Sequence, residues 1–117
     1  MKMKSIFAGI ALFVSSGAWA GGYSSTAVPT RIDVVRNDGF MVYGAFANIG
    51  GCSNSDQFFV KIDHPQYKQL YAMALTAYLS KQKIIAYIDS CQALGWYSVP
   101  TVTFNILSSG SALHITD

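Results

Sequence analysis

The stretch that decides the fold is YKQLYAMALTAYLSKQKIIAYIDSC, residues 67–91. Its first part has the spacing of a helix that we expect to end near Ser80, and its second part, KIIAYID (83–89), has the composition of a β-strand. On a helical wheel the apolar side chains cover an arc of about 200°, whereas a surface helix on a single core needs little more than 100°. The excess predicts a second partner for this helix, which in so small a chain is another copy of the same helix.

The residues expected at this contact between copies lie on the apolar arc: Leu70, Tyr71, Met73, Ala74, Ala77 and Tyr78. A second interpretation is also open. In it the tyrosines lie at the edges of an ordinary core face, with their rings buried and their hydroxyl groups in water. Only the first interpretation predicts a stable homo-oligomer.

Predicted strands lie on both sides of the helix. Asn37-Asp38-Gly39 predicts a hairpin turn between the first two of them, because these residue types tolerate positive φ. Asp63-His64-Pro65 predicts the start of the helix, with Asp63 or His64 as the N-cap. The strands that we expect besides 83–89 are 30–36, 40–47, 57–62 and 99–107, with a short edge strand at 112–116.

The order of three strands, one helix and two strands predicts a fold class that is mainly β with one helix. An OB-fold-like five-stranded barrel (β-β-β-α-β-β) has its helix at this point of the chain. An α+β sheet with one packed helix gives the same order.

Residues 1–20 have the three parts of a secretory signal peptide. Lys2 and Lys4 precede a short apolar run at 6–14, and Ala18-Trp19-Ala20 fits a cleavage site. The apolar run is much shorter than the ~20 residues of a membrane-spanning helix, and no later segment is long and apolar enough either. We predict cleavage near Ala20, which leaves residues 21–117 as a single secreted or periplasmic domain.

Charge and cysteine content narrow the function classes. The formal net charge of +2 comes from eight basic and six acidic residues. Without Lys2 and Lys4 the two signs balance, which argues against nucleic acid as a partner, because phosphate binding needs a concentrated basic surface. Cys52 and Cys91 enter an oxidising compartment, where two cysteines are most simply a disulfide.

No enzyme is expected. His64 and His114 lie far apart without the clustered Cys, Asp or Glu of a metal site, and no cofactor motif is present. Neither G-x-S-x-G nor G-K-[ST] occurs, so a nucleophile elbow and a phosphate loop are both absent from the sequence.

The segment at 67–91 resembles the pentameric B subunits of subtilase cytotoxin and of the pertussis-like and typhoid toxins. Their helix has the form L-Y-x-x-A-L-x-x-Y-x-[ST]-x-Q and is followed directly by a strand. Cys52-Ser53 also stands where the family has Cys-Ser, and Pro100 begins a segment similar to the last long strand. The residues that match the helix motif are Leu70, Tyr71, Ala74, Leu75, Tyr78, Ser80 and Gln82.

The resemblance implies a secreted OB-fold subunit in a ring of five, with the helices lining the centre. It also implies a cell-surface glycan or glycoprotein ligand, often sialylated, and a separate enzymatic A subunit as partner. The family's glycan-contacting tyrosine falls at Tyr87 or Ile88, and its sialic-acid serine at Ser24 or Ser25.

The loop QALGWYS (92–98) is a further candidate for binding. Trp96 and Tyr97 either form an exposed surface on which a sugar ring stacks, or Trp96 closes the mouth of the barrel as part of the core. We take Ser25, Tyr87, Trp96 and Tyr97 as the candidate glycan-binding residues. The alternative function is a secreted or periplasmic protein-interaction module, an inhibitor or assembly partner, that shares the fold without binding glycans.

Overall fold

The computed structural model describes residues 21–117, so the predicted signal peptide and cleavage site lie outside the described residues. The described chain is mainly β with one helix, as the sequence predicts. Among these residues no helix combines the length and the apolar character that crossing a membrane requires. The elements are β1 (Gly22–Tyr23), β2 (Arg31–Val35), β3 (Gly39–Tyr43), β4 (Gln57–Lys61), α1 (Tyr67–Ser80), β5 (Lys83–Ile88), β6 (Ser90–Ala93), β7 (Thr103–Leu107) and β8 (Ala112–Thr116).

The strands form two sheets. The larger has the order β2-β3-β4-β7-β6 and the smaller has the order β1-β5-β8. All pairs are antiparallel except β4 and β7, which run parallel with Phe59 opposite Ile106 and Val60 opposite Leu107.

In the described residues the strands form two sheets and do not close into a barrel. The chain passes from the smaller sheet to the larger at Asp89, between β5 and β6. There the carboxylate of Asp89 accepts hydrogen bonds from the backbone N–H and the hydroxyl of Ser108, at 2.8 and 2.6 Å. Asp89 thus stands between the end of β5 in the smaller sheet and the start of β6 in the larger sheet, and its side chain bonds to Ser108 after β7. The chain also passes from the smaller sheet to the larger between β1 and β2, where Pro29 has no backbone N–H to donate to a neighbouring strand.

Both faces of the larger sheet are covered, which explains why β3 and β4 are apolar at successive positions. Phe40, Val42, Phe58 and Val60 point to one face, where they pack with Leu70, Ala74 and Ala77 of α1. Met41 and Phe59 point to the other face, which the segment 94–102 covers with Leu94, Trp96 and Val102. The strand predicted at 99–107 therefore begins only at Thr103, because the residues before it form this cover.

The ends of the hairpin and the helix follow local geometry. The predicted turn between β2 and β3 is present, with positive φ at Arg36 and Asn37. The helix ends at Ser80 as predicted, but it begins at Tyr67, later than Asp63-His64-Pro65. Its N-cap is Gln66, whose side chain makes no capping hydrogen bond. Just before the helix, the His64 ring accepts a hydrogen bond from the Gln66 N–H at 2.9 Å.

Candidate functional site

The predicted disulfide between Cys52 and Cys91 is present, with the two Cα atoms 5.6 Å apart. It joins the loop after β3 to β6. Asn48 holds the same loop, since its side chain accepts a hydrogen bond from the Cys52 N–H and donates one to the Cys52 carbonyl, at 2.9 and 2.6 Å. This loop therefore has a fixed position beside the larger sheet.

The four predicted glycan-binding residues lie in two places. Tyr87 is on β5 in the smaller sheet, and Ser25 follows β1 in the segment that runs beside β5. Trp96 and Tyr97 lie in the segment that covers the larger sheet. The structure thus brings Ser25 and Tyr87 to one region and Trp96 and Tyr97 to another.

The outer face of the smaller sheet carries three rings, which we call the aromatic patch: Tyr23, Tyr87 and His114. Tyr23 and Tyr87 are directly opposite each other on β1 and β5, and their ring centroids are 5.0 Å apart, edge to face. His114 on β8 lies 5.8 Å from Tyr23. Tyr23 is 51% exposed, so the patch presents ring surface to solvent.

The two serines beside this patch have different roles. Ser24 is buried; its hydroxyl oxygen accepts a hydrogen bond from the Ala86 N–H at 3.0 Å, and the hydroxyl donates to the Ser25 carbonyl at 2.9 Å. Ser25 is exposed, as is Tyr23 on the other side of Ser24. This alternation places the side chains of Tyr23 and Ser25 on the same, outer side. Of the two serines, Ser25 is therefore the accessible one.

The segment with Trp96 is packed rather than open. The Trp96 ring lies 5.9 Å from the rings of both Phe59 and Phe104 and is half-buried. Its indole N–H is buried and has no hydrogen-bond partner among the described residues. Tyr97 packs on Phe104 with 5.2 Å between ring centroids and is 37% exposed. Tyr97 is thus the more accessible of the two predicted stacking rings.

An ion pair lies on the same side of the larger sheet as Trp96. The Arg31 guanidinium contacts the Asp33 carboxylate at 2.8 Å and lies over the Tyr43 ring at 4.7 Å from its centroid. Hydrogen bonding and charge attraction from Asp33 raise the pKa of Arg31. Burial, and then the negative charge of Asp33, raise the pKa of the Tyr43 hydroxyl. Arg31 therefore stays protonated and the Tyr43 hydroxyl stays neutral at neutral pH.

The six residues expected at a contact between copies are divided between core and surface. Leu70, Ala74 and Ala77 are buried in the core of the chain itself, so a partner has no access to them. Tyr71, Met73 and Tyr78 are half-buried. The Tyr71 ring packs edge to face on Phe40 at 5.1 Å, and Tyr78 lies beside the Lys81 ammonium at 5.7 Å. The most exposed apolar residue of the helix is Leu79, at 69%.

Sequence reasoning missed Tyr23. The segment 21–26 is small and polar, and local propensity predicts a loose terminus there. The structure instead holds it against β5 through β1 and through a further bridge between Ala27 and Ile84. The signal that was present is the alternation of an aromatic residue and serines at 23–25, which is too short to predict a strand by itself.

The described residues contain no group of three or more His, Cys, Asp or Glu side chains that could hold a metal ion. His64 is buried beside the start of α1, and His114 is exposed on β8. Comparisons with models of known protein families, with curated proteins and with solved structures gave no match.

Proposed function

We propose that this protein is a non-catalytic binding subunit that recognises a glycan through the aromatic patch and Ser25 and that assembles with copies of itself. The observation that carries the proposal is the pair of Tyr23 and Tyr87, whose rings meet on an outer sheet face next to an exposed serine. A binding site of this kind combines aromatic surface with a few polar groups that fix orientation.

The chemistry of the patch suits a sugar. The apolar C–H face of a sugar ring packs on an aromatic ring, while its hydroxyl groups need donors and acceptors at the edge of that ring. Ser25 supplies a hydroxyl, and the His114 ring beside Tyr23 supplies nitrogen atoms. The sheet beneath is rigid, because Ser24 fastens β1 to β5 from the buried side. A preformed surface reduces the entropy that binding must offset.

Assembly would use the exposed side of α1. Leu79 is exposed, and Leu75, one helical turn before it, is half-buried. In this proposal Leu79 and Leu75 form the apolar surface of α1 that contacts another copy. The resemblance to pentameric toxin subunits adds the expectation of a ring of five.

Secretion is supported by the disulfide, which forms and persists in an oxidising compartment. The domain is then a secreted or periplasmic module, and its ligand would be met outside the cytoplasm.

A glycan array probed with oxidised residues 21–117 tests the glycan proposal. We expect a signal that is lost in Tyr23→Ala and reduced in Ser25→Ala, but retained in Tyr97→Ala, the control on the larger sheet. A signal lost only in Tyr97→Ala would move the site to the segment 94–102. A blank array would contradict the proposal.

Light scattering tests assembly. We expect a mass near five protomers for the wild type and a smaller mass for Leu79→Glu. Gln69→Glu is the control, since it adds the same charge at another exposed position of α1. Tyr71→Glu is unsuitable here, because Tyr71 packs on Phe40 and its loss would disturb the core. A wild-type monomer would contradict assembly.

A second candidate function is a protein-interaction module. The observation in its favour is that β2 is an edge strand of the larger sheet and carries Val34, which is 68% exposed. Edge strands with apolar side chains pair with segments of other proteins. A blank array together with a co-purifying protein that Val34→Lys releases would favour this function.

A further inference from the structure

A cleft opens at the carboxyl ends of the parallel strands β4 and β7. It has a volume of about 380 Å³, and we call it the Lys61 cleft after the residue that ends β4. It exists because the two strands run side by side while the chain beyond them diverges: β4 leads to His64 and α1, and β7 leads to the turn at 108–111. Its lining includes Lys61, Asp63, His64, Gln92, Ser108 and Ser109.

The Lys61 ammonium is the decisive group. Lys61 as a whole residue is half-buried, and its ammonium donates to the side-chain oxygen of Gln92 at 2.8 Å. The Gln92 amide is itself oriented by a hydrogen bond to the Ser90 hydroxyl at 3.0 Å. An ammonium has three donors, and within residues 21–117 no carboxylate lies within 4.0 Å of this one, since the ion pair found there joins Arg31 and Asp33. The Lys61 ammonium is thus held in place by a neutral partner and is not paired with a carboxylate of the described residues.

The other polar groups of the cleft divide into occupied and available ones. The His64 ring accepts from the Gln66 N–H at one nitrogen, so its other nitrogen carries hydrogen and donates to the Ser111 hydroxyl at 3.2 Å. Ser108 donates to Asp89. Ser109 and Asp63 are exposed at the rim. The available groups are therefore an ammonium inside, with a hydroxyl and a carboxylate at the edge.

We propose that the Lys61 cleft binds a small carboxylate that also carries hydroxyl groups, of the hexuronic acid type. The carboxylate would contact the Lys61 ammonium, and the hydroxyl groups would donate to Asp63 and contact Ser109. Pro65, which also lines the cleft and is exposed, supplies apolar surface for the ring carbons. The volume falls within the range of small-molecule sites. This site is distinct from the aromatic patch and does not depend on the function proposed above.

The test is an NMR titration of oxidised residues 21–117 with sodium D-glucuronate, and with D-glucose plus matched sodium chloride as the neutral comparison. We expect saturable shifts of the Lys61, Gln92 and Ser109 amide signals with glucuronate and none with glucose. Lys61→Gln should weaken binding at least tenfold. Lys68→Gln, which removes the same charge from exposed α1, should leave it unchanged.

Ser109→Ala provides a variant with little risk to folding, because Ser109 is exposed, and it should weaken binding several-fold. Tyr23→Ala should not alter the shifts that glucuronate causes in the amide signals of the cleft. The titration therefore distinguishes a failure of the Lys61 cleft from a failure of the proposed glycan site. The inference is overturned if glucuronate gives no saturable shifts, if glucose gives the same ones, or if Lys68→Gln weakens binding as much as Lys61→Gln.

Discussion

Ser24→Ala should lower stability and Ser25→Ala should lower glycan binding, although the two serines are adjacent. The Ser24 hydroxyl oxygen accepts from the Ala86 N–H at 3.0 Å, and Ala86 is fully buried. Removing the oxygen leaves a buried N–H without a partner, which costs about 1–3 kcal/mol. For a domain of this size that lowers the melting temperature by roughly 4–8 °C per kcal/mol. Ser25 is exposed, and its substitution should change stability by less than about 0.5 kcal/mol.

Urea denaturation of the oxidised protein measures the first effect, and glycan binding measures the second. We expect Ser24→Ala to lower the denaturation midpoint at an unchanged slope, and Ser25→Ala to keep the midpoint while it reduces binding. A Ser24→Ala midpoint equal to that of the wild type would refute the argument that this hydroxyl fastens β1 to β5. Equal losses of stability in both variants would refute the assignment of separate roles.

Substitutions at the disulfide, at Asp89 and at Trp96 test the packing. Replacing both Cys52 and Cys91 by alanine should lower the free energy of unfolding by about 4 kcal/mol in the chain-entropy model, and an unchanged urea midpoint would contradict this. Asp89→Ala should lower the free energy of unfolding by about 2 kcal/mol, because the hydrogen bonds to Ser108 are lost. Asp89→Asn keeps one acceptor and should lower it by less. Equal losses of stability in the two variants would count against the role of the carboxylate. Trp96→Phe should stay within about 1 kcal/mol of the wild type, because it removes a buried N–H that has no partner among the described residues. Trp96→Ala should cost about 3 kcal/mol, and equal costs of the two substitutions in thermal melts would contradict this argument.

Local signals in the sequence were enough to predict the helix end, the hairpin and the disulfide. The helix end at Ser80 and the turn at 36–39 depend on residues close together in the sequence. The disulfide depends on the single pair of cysteines, Cys52 and Cys91. The fold class followed from the order of these elements.

What the sequence did not predict depends on contacts between distant segments. Tyr23 belongs to a strand only because Tyr87 lies opposite it, and no periodicity within 21–26 carries that information. The cover formed by 94–102 has apolar residues whose partners, Phe59 and Met41, are on other strands. The Lys61 cleft exists because β4 and β7 are parallel neighbours, and strand spacing alone cannot distinguish a parallel pair from an antiparallel one.

The parallel pairing of β4 with β7 also sets the order in which the chain can fold during synthesis. The antiparallel strands β2, β3 and β4 are consecutive and can pair early, but β4 must wait for residues 106 and 107, and β1 must wait for residues 87 and 88. Contacts between such distant residues form slowly, because a long loop must close before they contribute. Neither sheet is complete until nearly the whole chain has been made. Export through a channel before folding, which the sequence predicts, would be compatible with this dependence on the last strands.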